Sequence, residues 1–221
     1  KLEWQIENEL AKHGFKDYKV LLAICSKEIE LFQLLSKYFK GAESPDIVVG
    51  WNSWSYDFKY LENRYQKICG RKNLFHGIAK FDLMFAYAMM YRASHGELES
   101  KKLQYAGEKE LGIGKIIHGN SVWQTYRENL VQFCAYNAND VVLLVELDKK
   151  KGLTAYYQRL AETCGTFIDD SSSEIKLIES CMFYRLRGTN RILPSRRGVE
   201  SASDRSHGGY VVEPSAGIFN N

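Results

Sequence analysis

The sequence predicts an α/β domain over residues 1–150 and a mainly helical segment over residues 151–221. Short apolar runs rich in β-branched residues, such as residues 47–49, alternate with longer segments of helical character, such as residues 58–68. This alternation is typical of an α/β layer with at least some parallel strand pairing. Beyond Gly152 the composition changes and the apolar residues indicate helices joined by polar loops.

The first half of the chain is predicted to alternate helices with strands. Residues 1–10 have helical spacing of apolar side chains, and residues 18–24 form a strand candidate. A helix capped by Ser26 follows, and then the strand at residues 47–49 leads through a turn into the helix at residues 58–68. Strands separated by helices favour parallel pairing.

The second half is predicted to be mainly helical. The predicted elements are helices over residues 100–114, 153–164 and 175–187, two helical pieces within residues 126–147, and a final strand over residues 208–214. A polar, Ser-rich segment at residues 196–207 separates the last helix from that strand and is predicted to be mobile.

Composition excludes several classes of protein. With 45% hydrophobic and 26% charged residues, the chain fits neither a disordered protein nor a membrane protein, and we expect no membrane partner and no signal peptide. The five scattered cysteines favour reduced core residues over disulfides or a zinc site. The net charge of +3 is small, but six arginines lie between residues 185 and 205, either on a solvated face or on a surface that contacts phosphate.

Two polar motifs are candidates for chemistry. The turn after residues 47–49 contains Asn52 and Tyr56 and ends in Asp57 at the start of the predicted helix, which holds a carboxylate at the rim of a sheet. The alternative is that Asp57 is only a helix N-cap. Far downstream, Tyr136 and Asp140 are four residues apart and therefore share one face of a helix, where an acid can hold a metal ion and a phenol can contact its water.

In this order the two motifs resemble the second and third exonuclease motifs of family B DNA polymerases, N-x-x-x-[FY]-D and Y-x-x-x-D. The surrounding residues 44–52, 98–116 and 208–214 also resemble that family. The resemblance covers nearly the whole chain from about residue 25 onward. It implies an incomplete ribonuclease H-like 3′–5′ exonuclease domain over residues 1–150, followed by a helical segment that leads to the polymerase palm.

The resemblance also implies roles for single residues. Asp57 and Asp140 would be catalytic ligands of a two-ion Mg²⁺ or Mn²⁺ site, because these ions prefer carboxylates and water. Tyr136 would orient the attacking water. Asn52 and Phe58 would contact the substrate, the single-stranded 3′ end of a DNA primer. Phe58, as an aromatic residue beside a strand, is more often part of a core.

Further features of the family are expected to be partial in this chain. The family has an aspartate where a strand opens a helix, so we interpret Asp82 mainly as a structural cap rather than a metal ligand. Its first motif, D-x-E, has a counterpart only in residues 4–7, Trp-Gln-Ile-Glu, where an ordinary helix is the favoured interpretation. The palm motif S-L-Y-P-S is not reached before Asn221.

We therefore expect part of a DNA-directed DNA polymerase, with little or no exonuclease activity of its own and the remaining polymerase domains or a subunit as partner. Its expected location is the cytoplasm, at a nucleoid or a viral replication site, or the nucleus in a eukaryote. The alternative is a degenerate, non-catalytic module that binds DNA or scaffolds a polymerase partner. A stand-alone ribonuclease H-like nuclease would need a first acidic pair that the sequence does not offer convincingly.

Overall fold

The computed structural model describes residues 1–114 and 121–193, and its first compact unit is Lys1–Arg185. The elements of the described residues are α1 (Leu2–Lys12), α2 (Glu28–Lys40), β1 (Ile47–Gly50), α3 (Asp57–Cys69), β2 (Ala79–Asp82), α4 (Leu83–His95), α5 (Leu103–Leu111), α6 (Val122–Glu128), α7 (Leu130–Lys151), α8 (Leu153–Cys164), a 3₁₀ turn (Ile168–Asp170) and α9 (Glu174–Leu186). Helix predominates in this part of the chain.

The two strands β1 and β2 form a parallel pair connected by α3. Ile47 lies opposite Ala79, and Gly50 lies opposite Asp82. Because the strands run in the same direction, their carboxyl ends meet at one edge. The predictions of a strand at residues 47–49 and of a helix after it are therefore confirmed. The two four-residue strands among helices do not confirm the predicted α/β domain over residues 1–150.

The prediction of a strand over residues 18–24 is wrong. Among the described residues the segment has no strand partner, and the backbone N–H groups of Val20 and Leu22 instead donate to Glu7 Oε1 and Glu3 Oε1 on α1, at 2.8 Å each. The carboxylates of α1 thus satisfy N–H groups that a neighbouring strand would otherwise satisfy.

Helix α7 is the central helix of the main core. It packs against α1, α5, α6 and α8 and buries Leu143, Leu144 and Leu147. Two helical pieces were predicted around the motif at residues 136–140, but the break between helices lies earlier, at Asn129, whose side chain accepts a hydrogen bond from the Gln132 N–H at 3.0 Å. The motif at residues 136–140 therefore lies inside one continuous helix.

Among the described residues, α7 is long and apolar enough to cross a bilayer, judged by its length and composition alone. Its packing against four other helices explains its apolar character equally well. Leu143 and Leu147 are fully buried against those neighbours. We therefore interpret α7 as the core helix of a globular unit.

The compact unit extends past residue 150, where a domain boundary was expected. Leu153 and Tyr157 of α8 are buried in the main core, and the Tyr157 ring lies 5.5 Å from the ring of Phe81 on β2. The helices predicted over residues 153–164 and 175–187 are present as α8 and α9. The strand predicted over residues 208–214 and the mobile segment predicted at residues 196–207 lie outside the described residues. The predicted connection to a polymerase palm lies outside them as well.

A pH titration tests the packing of α8. Burial, followed by the neighbouring Tyr156 and Glu174, raises the pKa of Tyr157 to about 12. Since the unfolded chain loses this proton near pH 10, the neutral phenol stabilises the fold below pH 10, and that contribution declines as the pH rises from 10 to 12. We expect Tyr157→Phe to unfold about 1 kcal/mol more easily than wild type at pH 9, because its hydroxyl donates to the Ala86 carbonyl at 3.2 Å.

The difference in unfolding free energy between wild type and Tyr157→Phe should then shrink as the pH rises from 10 to 12, since phenylalanine does not titrate. Denaturant unfolding followed by circular dichroism measures it. Tyr38→Phe is the matched control, because Tyr38 is 62% exposed, and loss of its hydroxyl should leave the free energy of unfolding nearly unchanged at pH 9. A Tyr157→Phe difference that does not change with pH would contradict the assignment of Tyr157 to the core.

Candidate active site

The turn between β1 and α3 carries the first motif. Gly50 ends the strand directly against Ser53, and a Cβ added to Gly50 would lie 1.7 Å from the Ser53 hydroxyl oxygen. Asn52 has φ 60°, the left-handed conformation that only a few side chains adopt easily. The turn closes where the Phe58 N–H donates to the Ser53 carbonyl at 3.0 Å. Glycine, asparagine and a buried serine therefore shape the start of α3.

Asp57 is the first residue of α3, and its side chain is exposed. The alternative interpretation of Asp57 as the N-cap is wrong, because Tyr56 occupies the N-cap position and the helix has no side-chain cap hydrogen bond. The carboxylate lies in the first turn, where the helix dipole favours negative charge. Asp57 is thus available at the rim of the sheet rather than used by the backbone of α3.

Asp82 lies at the end of β2 and is 3% exposed. Its Oδ1 accepts the Met84 N–H at 3.1 Å, so its predicted role as the cap of α4 is confirmed. Its oxygens also accept the N–H groups of Asn52, at 2.9 Å, and Trp54, at 3.1 Å. Sequence reasoning missed these two bonds, which depend on Gly50 and Asp82 lying opposite each other.

One cavity of about 1140 Å³ brings most of the predicted site residues together. Asn52, Asp57 and Phe58 line it from the β1 side, and Asp140 lines it from α7. Asp57 and Asp140 are distant along the chain but line the same cavity. Tyr136, one helical turn before Asp140, does not line this cavity and packs partly buried against the main core. Its role in orienting water stays a prediction.

The aromatic residues around the turn divide into buried and exposed sets. Phe58 is only 5% exposed, and its ring packs edge-on against Phe75, with 5.6 Å between ring centroids. Tyr56 and Tyr60 are exposed and stacked at 5.6 Å with an interplanar angle of 12°. Sequence reasoning did not single out Tyr60, although its spacing of four residues from Tyr56 places both on one helical face. Contact of Phe58 with substrate stays a prediction.

The donor set of the cavity fits a hard divalent cation in kind. Carboxylate oxygens of Asp57 and Asp140 are the ligands that Mg²⁺ and Mn²⁺ prefer. Within residues 1–114 and 121–193, no three His, Cys, Asp or Glu side chains are grouped closely enough to hold an ion. Asp57, Glu99 and Asp140 all line the cavity, so the described residues place carboxylates around it without grouping them into a complete ligand set.

The stretch Trp4-Gln5-Ile6-Glu7 has no place in this cavity. It lies within α1, with Ile6 fully buried and Glu7 hydrogen-bonded to the backbone of Val20. The interpretation of these residues as an ordinary helix is confirmed. Glu7 holds the extended segment that follows α1, and it does not supply a carboxylate to the residues around Asp57.

Comparison with known proteins finds a family match and related sequences. Residues 3–107 match the family described as DNA polymerase family B, exonuclease domain. The chain is 24% identical over 206 residues to the DNA-directed DNA polymerase of Escherichia phage RB69, which covers 82% of this chain and 23% of the phage protein. It is 20% identical over 195 residues to the DNA-directed DNA polymerase of Enterobacteria phage T4, which covers 77% of this chain and 21% of that protein. The chain thus spans less than a quarter of the length of these relatives.

Proposed function

Because residues 3–107 belong to the exonuclease domain of the family B DNA polymerases, we propose that this chain is the portion of such a polymerase that carries part of its 3′–5′ proofreading exonuclease site. The observation that carries this proposal is the shared cavity of Asp57 and Asp140. Residues from two motifs separated by most of the domain have little reason to line one cavity unless they act together.

The proposed reaction is hydrolysis of the terminal phosphodiester of a DNA primer. Mg²⁺ or Mn²⁺, when bound, would supply activation of the attacking water and stabilisation of the leaving oxygen. In this chain Asp57 and Asp140 would hold the ions, and Tyr136 would orient the water. Asn52, which lines the same cavity, would bind the primer end.

The surface around Asp57 suits a single strand. The stacked and exposed rings of Tyr56 and Tyr60 offer a face on which bases can stack. Lys101 and Lys102 line the same cavity and would contact phosphates. An aromatic face beside basic side chains is the combination that binds single-stranded nucleic acid with little dependence on sequence.

The site is proposed to be incomplete in this chain alone. Two carboxylates give the ions less compensating charge than a site with more acids, so we expect little exonuclease activity from the isolated chain. The remaining polymerase domains, or a partner subunit, would complete it. The alternative function, a non-catalytic module that binds DNA or scaffolds a polymerase, is favoured only if the carboxylate pair fails to bind a divalent ion.

Manganese binding tests the proposed carboxylate pair. We expect the chain to bind Mn²⁺, followed by electron paramagnetic resonance, and we expect Asp57→Asn and Asp140→Asn each to weaken the affinity about tenfold or more, because each removes a charged ligand. Asp46→Asn is the matched control: it removes the same charge from an exposed aspartate just before the other end of β1. Its affinity should match that of wild type.

Equal Mn²⁺ binding by wild type and both site variants would contradict the proposed site and leave the non-catalytic module. A 5′-labelled single-stranded primer provides the second readout. Digestion that depends on Mn²⁺ and is abolished by Asp140→Ala would contradict the proposed incompleteness, because it would show an active site within this chain.

A further inference from the structure

The carboxylate of Asp82 is compensated by the backbone and not by a cation. It is buried, and within the described part of the chain it forms no ion pair with Lys, Arg or His. Three backbone N–H groups donate to it instead, those of Asn52, Trp54 and Met84, at 2.9, 3.1 and 3.1 Å. Burying a carboxylate costs free energy unless it is hydrogen-bonded. The three N–H groups therefore stabilise the buried carboxylate, and the carboxylate in turn fixes the positions of these N–H groups.

Capping of α4 requires only one of these bonds. The Met84 N–H belongs to the first turn of α4, whereas Asn52 and Trp54 belong to the turn after β1, on a different segment of the chain. Asp82 Oδ1 accepts the N–H groups of Asn52 and Met84, and Oδ2 accepts the N–H group of Trp54. Both oxygens act as acceptors, which a neutral amide side chain at this position cannot reproduce, since it has one oxygen.

The bond to Asn52 fixes a backbone conformation that is unfavourable for most residues. Asn52 has φ 60°, and such conformations persist where the surrounding structure holds them. The Asn52 carbonyl then accepts the Ser55 N–H at 3.2 Å, and the Ser53 carbonyl accepts the Phe58 N–H at 3.0 Å. The Asp82 side chain therefore holds the turn at Asn52 and Trp54, and two backbone hydrogen bonds connect that turn to the first turn of α3.

We propose that Asp82 is a positioning residue of the exonuclease site. Its carboxylate clamps the turn by accepting the N–H groups of Asn52 and Trp54, and this clamp fixes the position of Asp57 at the cavity. Asp82 does not itself contact ions or substrate in this proposal. The inference rests on the proposed function for what Asp57 does, but the clamp itself is a statement about the turn and can be tested without any metal.

The first test measures the turn directly. In a ¹⁵N-labelled full chain, Asp82→Asn should increase the hydrogen-exchange rates of the Asn52 and Trp54 amides by about tenfold or more, because the two amides lose a charged acceptor. Asp148→Asn is the control, since Asp148 accepts the Thr154 N–H at 2.8 Å and also loses a carboxylate that binds backbone. It should leave the exchange of Asn52 and Trp54 unchanged. Unchanged exchange in Asp82→Asn overturns the clamp.

The second test measures Mn²⁺ affinity under conditions where circular dichroism shows every variant folded. We expect Asp82→Asn to weaken binding about tenfold, a typical loss for a residue that orients a ligand, while Asp148→Asn binds as wild type does. Asp82→Glu separates position from charge, because it keeps the negative charge on a longer side chain, and it also serves if Asp82→Asn fails to fold. We expect Asp82→Glu to weaken binding as well. Wild-type affinity in Asp82→Glu would mean that charge alone matters and would overturn the positioning role.

The outcomes for the two proposals are distinct. Normal Mn²⁺ affinity in Asp82→Asn, with weakened binding in Asp57→Asn, overturns the positioning role and leaves the proposed function intact. Binding that is insensitive to Asp57→Asn overturns the proposed function. Faster exchange at Asn52 and Trp54 would in that case still support the clamp.

Discussion

Leu143→Ala is expected to lower the free energy of unfolding by about 3–4 kcal/mol, the largest stability effect that we predict. Leu143 is fully buried in α7, and it lies where α5 approaches closely, since a Cβ added to Gly107 would be 2.8 and 2.9 Å from its two methyl carbons. Truncation would leave a cavity between two helices, and the small residue at position 107 cannot fill it. Denaturant unfolding followed by circular dichroism measures the loss.

Val141→Ala is the matched control on the same helix. Val141 is 57% exposed, so we expect its truncation to change the free energy of unfolding by less than about 0.5 kcal/mol. The two variants differ in which face of α7 they affect. Equal destabilisation by both would contradict the packing of α7 against α5.

Gly50→Ala is expected to destabilise the protein by about 2–3 kcal/mol, because the new methyl group would overlap the side chain of Ser53. The added Cβ would lie 1.7 Å from the Ser53 Oγ and 2.7 Å from its Cβ, which are the contacts that it makes within 4 Å among the described residues. The turn would have to move, and with it the start of α3. Unfolding measurements give the stability, and Mn²⁺ binding reports the position of Asp57.

A second substitution isolates this overlap. Ser53→Gly removes both atoms that the added methyl group meets, so the double variant Gly50→Ala/Ser53→Gly should be less destabilised than the sum of the two single variants. Additive losses would show that Gly50 is required for a reason other than its contact with Ser53.

Local patterns were sufficient to predict the elements that carry the site. The β-branched run and Gly50 located β1, and the polar turn located Asp57 at the start of α3, because strand ends and turns have strong sequence signals. The strand predicted at residues 18–24 failed for a non-local reason. Its apolar residues suit a strand, but Glu3 and Glu7 of α1 bind its backbone.

The contacts within the site depend on tertiary structure and were only partly predictable. Asp82 was predicted as a cap from its place before α4, but its bonds to Asn52 and Trp54 follow from the parallel register of β1 and β2. The cavity shared by Asp57 and Asp140 likewise depends on how α7 packs. Spacing along one helix cannot indicate which of its residues faces a distant turn.

The packing of α7 has a consequence for the order of assembly during translation. Its partners include α1, made before it, and α8, made after it, so this core cannot close until the ribosome has passed α8. The pair β1–β2 needs only residues up to Asp82 and can form earlier. The nascent chain would therefore hold Asp57 in its turn well before Asp140 is synthesised, and the two acids would come to line one cavity only when α7 packs.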